Sequence, residues 1–132
     1  MKTKPVLTQQ DCEKIQAAAR AEAAKNKWNV TIAIVDDGGH LLSLVRGDGM
    51  TPITAEITAR KAHSTAVARR PTKMSEDRIA SRPALVKMPI LPVQGGVPIM
   101  HQGECVGAVG VSGVQSHEDE QICNAGIVAL GG

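Results

Sequence analysis

Residues 29–46 read NVTIAIV (29–35), DDGG (36–39) and HLLSLVR (40–46), and this stretch decides the fold. The first run is β-branched and almost wholly apolar, DDGG carries turn chemistry, and the second run is apolar again. Two such runs about a short Asp/Gly turn form a β-hairpin. Working outward, Thr8 followed by Asp11 is a capping pattern, and Cys12, Ile15, Ala19 and Ala23 recur at helical spacing, so the chain upstream is a helix over about 9–25. Downstream, after GDGM, Thr51 is placed to cap and Pro52 to occupy the first position of a long second helix ending near Arg69 and Arg70.

A short helix is expected over 75–82, capped by Ser75 with Glu76 and Asp77 in its first turn. Pro83, Pro89 and Pro92 then make the chain irregular or edge-like. VPIMH (97–101), the Gln102-Gly103 turn and ECVGAVGVS (104–112) form a second hairpin, with Pro98 favouring an edge position or a bulge. Ser116 with Asp119 caps a last helix carrying Ile122, Ala125, Ile127 and Leu130. No parallel strand–helix–strand alternation occurs. The fold class is α/β of the α+β kind, a central antiparallel sheet of about four to five strands flanked by helices, in the order α-ββ-α(α)-β(β)β-α.

Composition sets the limits. The chain has 132 residues, enough for one domain over 1–132, and 42% are hydrophobic with 21% charged, which excludes disordered and collagen-like classes. Trp28 is the sole aromatic residue among Phe, Trp and Tyr, so the core is built from small aliphatic side chains that let elements approach closely. A net charge of +2 and a lack of stacking rings exclude a nucleic-acid binder. Cys12, Cys105 and Cys123 are odd in number and contain no C-x-x-C pair, so neither a disulfide framework nor a zinc site is expected. The polar start and the absence of a long apolar run give the expectation of a cytoplasmic protein with no membrane partner.

On the second helix Ala55, Ala59, Ala62 and Ala66 form a stripe of minimal volume that a sheet or partner helix can approach, beside Glu56, Arg60, His63 and Val67. Gly107, Gly110 and Gly113 recur at every third residue, which is no nucleotide fingerprint and reads as packing before ligand contact. GVSGV around Ser112 lacks the last glycine of a nucleophile elbow. His40 and His117 read as turn and helix-start residues. His63 and His101 remain, each suited either to ligate a haem iron or to hydrogen-bond in the core. Arg60, Lys61, Arg69 and Arg70 are cations suited to ligand carboxylates or to plain solvation.

The segments IVDDGGHLL (34–42), ARKAHSTA (59–66), GGVPI (95–99) and GAVGVSG (107–113), with Glu118 and Asp119 opening the last helix, resemble the GlcG/HbpS family. That family also includes the domain found at the C-terminus of PduO-type cobalamin adenosyltransferases. The resemblance covers nearly the whole chain and implies an antiparallel α/β domain, homo-oligomers and members that bind haem. By the same likeness Lys61, Gly95, Gly96 and Pro98 fall in motif positions beside a ligand pocket.

The leading expectation is a homo-oligomeric binder of haem or a related tetrapyrrole or corrinoid. His63 or His101 would ligate iron, Arg60 or Lys61 would pair with propionates, and Gly95 and Gly96 would allow close backbone approach around a shared hollow. The alternatives are an enzyme or enzyme accessory in corrinoid-dependent diol or glycerol, or glycolate, metabolism, with Glu56, Lys61 and His63 as acid and base groups, and a structural oligomer without ligand.

Overall fold

The computed structural model describes residues 1–131. The deciding stretch is a hairpin, β1 (Thr31–Asp36) and β2 (Leu41–Arg46), paired antiparallel. Its turn is built by Asp36, whose Oδ1 accepts the N–H groups of Gly38 and His40, both at 2.9 Å. A second hairpin joins β3 (Gly96–His101) to β4 (Glu104–Ser112). Its turn residues Gln102 and Gly103 both take positive φ, which matches the strand twist of a two-residue turn. β1 pairs with β4 from Thr31↔Ser112 to Asp36↔Gly107, giving one four-stranded antiparallel sheet in the order β2-β1-β4-β3. Pro98 lies on β3, an edge strand, where a missing N–H is tolerated.

The helices cover both faces. α1 (Gln9–Lys25) and α4 (Ser116–Val128) pack against each other over one face, where Ile15, Ala19, Ile122 and Cys123 meet Ile32, Ile34, Ile99, Val109 and Val111. Trp28 is half-buried at the margin of that core. α2 (Ile53–Ala68) lies alone on the other face, where Ala62 and Ala66 meet Ala33, Val35 and Ala108. α3 (Thr72–Ser81) and a 3-10 turn (Pro83–Lys87) follow, and no further strand forms before β3. Among the described residues no helix is long and apolar enough to cross a membrane.

The alternation of bulk explains the two spacings. Large β-branched side chains fill the α1/α4 side, whereas the centre of the α2 side is mostly alanine and glycine, with Thr31 and Val35 beside them. A Cβ on Gly110 would stand 2.5 Å from the Thr58 carbonyl oxygen and 2.8 Å from the Ala62 nitrogen. Gly96, its register partner on β3, would drive a Cβ into Thr65 Oγ1. The helix backbone therefore rests almost on the strands, as the packing reading of the glycines expected.

Several local expectations shift. α1 has the expected limits and its full capping box, with Thr8 Oγ1 accepting from Asp11 N–H at 3.1 Å and Thr8 N–H donating to Asp11 Oδ2 at 2.9 Å. α2 has no side-chain cap, because Pro52 itself stands at the cap and Thr51 offers its carbonyl. α3 begins at Thr72 rather than Ser75, so Ser75 is a buried mid-helix residue. Gln115 with Glu118 makes the capping box of α4 in place of Ser116 with Asp119. The buried face of α2 is also turned from the alanine stripe. Thr58, Lys61, Ala62 and Thr65 point at the sheet, while Ala55 and Ala59 flank it half-buried.

Gly110→Ala tests the close passage. Because its new methyl meets helix backbone, it is expected to lower unfolding stability by about 1–3 kcal/mol in urea titration. A loss near zero would show that α2 moves away without cost.

Candidate functional site

The candidate site residues carried by α2 divide between its two sides. Lys61 points inward and is 4% exposed. Its Nζ donates to the Val111 carbonyl at 3.0 Å and lies 3.3 Å from Asp119 Oδ2. The reason is local. Gly95 has φ +128, and although its carbonyl accepts the Val111 N–H at 2.9 Å, the Val111 carbonyl takes the lysine as its donor beyond the end of β3. Asp119 Oδ1 accepts the Val114 N–H at 3.2 Å, so one carboxylate ties the turn before α4 to the ammonium of α2. Burial pushes the Asp119 carboxyl above the ordinary aspartate range, against the pull of Lys61. Burial likewise raises the Cys123 thiol, which bonds to the Gly95 carbonyl. All three cysteines are free.

The expected hollow beside Gly95 and Gly96 is filled by α2 itself. Lys61 Nζ lies 2.8 Å from where a Gly95 Cβ would be, and Thr65 Oγ1 and the Lys61 carbonyl crowd Gly96. Thr72 Oγ1 further accepts the Gly96 N–H at 2.9 Å. Arg60 and His63 do not join them. Both are exposed on the outer side of α2, together with Glu56 and Val67. Of the trio Arg60, Lys61 and His63, the structure brings only Lys61 to the glycine pair. Lys61 is thereby committed to Val111 and Asp119 rather than to a propionate or a proton transfer.

His63 is held by the first hairpin. A carbonyl oxygen only accepts, so the 2.9 Å contact between His63 Nδ1 and the Gly39 carbonyl fixes the proton on Nδ1. Nε2 of the neutral ring is then the nitrogen with the lone pair. A backbone carbonyl holding one ring nitrogen is the usual outer partner of a metal-binding histidine. Gly39, at φ +83, is the only kind of residue that fits under the ring, since a Cβ there would stand 2.5 Å from Nδ1.

His101 is exposed at the end of β3, on the rim of a hollow of about 230 Å³ lined by Leu7, Ile99, Val106, Ile127 and Leu130. Pro98 stands half-buried on β3 opposite Ala108. Arg69 is a left-handed helix cap whose guanidinium donates to the Ala66 and Asp37 carbonyls.

Two roles escaped sequence reading. The Gly39 carbonyl is a backbone group in what reads as a turn, and Asp119 reads as a helix cap. The ARKAHSTA and IVDDGGH segments carried the signal for the first, since both belong to the family pattern and they meet here.

Removing Lys61 leaves Asp119 buried without its partner. Lys61→Met is expected to cost about 3–5 kcal/mol at neutral pH. Without the lysine the carboxyl of the folded state lies further above its unfolded value, so the neutral acid favours folding. That contribution is present at acid pH and lost as pH rises through the elevated pKa. Urea titrations should therefore show a Lys61→Met defect that shrinks on acidification. A defect independent of pH would contradict the pairing.

Comparison with known proteins accords with this architecture. Residues 7–128 match a family model described as "Haem degrading protein HbpS-like". Protein GlcG of Escherichia coli K12 is 49% identical over 114 residues, 85% of each chain, and an uncharacterised 15.0 kDa protein of Citrobacter freundii is 26% identical over 127 residues, 92% of this chain and 89% of that one. A crystal structure of a double mutant of HbpS from Streptomyces reticuli superposes with a TM-score of 0.92 at 34% identity, covering 100% of this chain and 92% of that one. A PduOC–haem complex shares the fold, with a TM-score of 0.86 at 20% identity over 96% of each chain. A chain with these motifs, this sheet and these relatives belongs to the HbpS-like family.

Proposed function

We propose that the protein binds haem or a related tetrapyrrole on the outer face of α2, with His63 Nε2 as the iron ligand and Arg60 as a propionate partner. The observation that carries this reading is the His63 Nδ1–H bond to the Gly39 carbonyl, which directs the lone pair to Nε2 and holds the ring against the β1–β2 turn. Arg60 lies one turn away on the same exposed side. Haem, when bound, would supply an iron centre for the imidazole to ligate. The chain supplies the imidazole, a cation and apolar surface from Leu41, Ile53 and Val67, each 44% exposed or more. Support for the ligand class comes from the family and from a relative of the same fold solved with haem.

A flat macrocycle on one helix face leaves its other face in water. A homo-oligomer in which a second copy covers α2 would complete the enclosure and would also cover those exposed aliphatic side chains.

Haemin titration followed at the Soret band tests the assignment. His63→Ala is expected to abolish the ligation-dependent shift, His101→Ala to preserve it, and Arg60→Gln to weaken binding several-fold. A His63→Ala protein that binds as the wild type does, or a Soret band lost only in His101→Ala, would move the site off α2.

A further inference from the structure

One helical turn beyond His63, the outer face of α2 opens into a separate pit of about 230 Å³, walled by Val67 and Ala68 of α2, Ser75 and Ile79 of α3, and Leu85, Met88 and Ile90 of the chain that follows. Two more lining residues are arginines, Arg70 after α2 and Arg78 in the last turn of α3. Neither forms an ion pair among the described residues. The nearby acids are engaged elsewhere, Asp77 with Lys73 at 2.7 Å and Glu76 with the Gln94 N–H at 3.4 Å.

The pit is built rather than accidental. Ser64 Oγ of α2 accepts the Leu91 N–H at 2.7 Å, and Thr72 at the start of α3 accepts the Gly96 N–H at 2.9 Å, so both ends of the covering segment are anchored. Arg70 is half-buried, lines the pit, and its Nε donates to the Ala68 carbonyl at 3.3 Å, a bond that does not use the two terminal nitrogens of its planar fork of donors.

An apolar hollow with two uncompensated guanidiniums selects one chemistry, an apolar body ending in a carboxylate. The cations would take the charge, in the paired geometry that guanidinium and carboxylate share, while the aliphatic walls remove the tail from water. The volume is a little below the roughly 300–1,000 Å³ of ordinary ligand sites, which suits a short acyl chain or one edge of a larger molecule better than a whole macrocycle. We infer that this pit is a binding site for an amphipathic carboxylate, with Arg70 and Arg78 as its anion clamp. The inference stands on the pit and its cations and needs no iron ligation, so it is separable from the haem reading.

Two sources offer this chemistry, a free medium-chain acid and the propionate edge of a tetrapyrrole. Octanoate tests the site itself. It should raise the melting temperature in a concentration-dependent way and perturb the amide resonances of α3, whereas 1-octanol, with the same tail and no charge, should do neither at equal concentration. Arg70→Gln and Arg78→Gln should each weaken octanoate binding about ten-fold. Ala68→Leu, which fills the pit and keeps both charges, should abolish binding. Unliganded melting of each variant, read first, identifies any that fail to fold, and the Ala68→Leu and arginine variants replace one another in that event.

Protoporphyrin IX and its dimethyl ester then separate the sources. Weakening of the diacid alone in the arginine variants assigns the site to propionates, and unchanged porphyrin binding with weakened octanoate assigns it to a free acid. Octanoate that produces no shift up to its solubility, or that binds the variants as it binds the wild type, overturns the site. Haemin that still shifts its Soret band in Arg70→Gln/Arg78→Gln leaves the His63 assignment standing, so the two proposals fail separately.

Discussion

The passage of α2 across Gly110 and Gly96 is the constraint from which the rest of the molecule is positioned. The two glycines are register partners on neighbouring strands, and the backbone of α2 takes the space that their side chains would fill. With the helix that close, Ala62 and Ala66 suffice as its buried apolar contacts, and a chain almost free of aromatic residues still has no need of bulk on this side. The same closeness fixes the rotation of the helix about its axis. Thr58, Lys61 and Thr65 must face the strands, and Arg60, His63 and Val67 must face away.

Turning Lys61 inward is costly unless its charge is met, because an ammonium cannot leave water without a partner. Asp119 and the Val111 carbonyl meet it, and both are available for structural reasons. β3 begins only at Gly96, which leaves the Val111 carbonyl open to a donor from α2, and Asp119 enters from the first turn of α4. The pair thus links the helix on one face of the sheet to a helix on the other, across the end of an edge strand. A buried ion pair adds little net stability over an apolar substitute of the same shape, yet it penalises every arrangement in which only one of the charges is buried. Its effect here is to fix how α2 and α4 sit relative to each other.

Much of this was legible in the residues, and the limits of legibility have physical causes. β-branched apolar runs and turn chemistry located both hairpins and all of β4, because side-chain type and glycine-bearing turns are local properties. The Thr8/Asp11 box gave α1 its start for the same reason. Caps elsewhere moved by a few residues where a proline or a tertiary bond competed, as when Thr72 is drawn to Gly96 and α3 starts early. Lys61 and Gly95 both fall in the family motif and lie side by side, but nothing in spacing says that they touch by filling space rather than by lining it. Whether a charged helix residue faces inward depends on what waits beneath it, and Asp119 is 58 residues away in sequence. The Gly39 carbonyl has no letter of its own, so only the two motif segments that meet there carried a signal of it.

The division of α2 into two faces bears on chemistry as well as on packing. On the inner side, polar groups are consumed by the fold: Lys61 by Val111 and Asp119, Ser64 by the Leu91 amide, and Thr65 by the Lys61 carbonyl. A group already satisfied in a buried network is a poor ligand, because binding would first have to break that network. On the outer side the opposite holds. His63 is oriented by one nitrogen and open at the other, Arg60 is exposed, and Arg70 is tethered by Nε alone. Polar chemistry that the fold has oriented but not used is the resource a binding site requires, and here His63 and Arg60 offer it on the outer side of α2 and Arg70 just past its end. The aliphatic residues exposed beside it, Leu41, Ile53 and Val67, give that side the apolar area a flat ligand or a second subunit would cover.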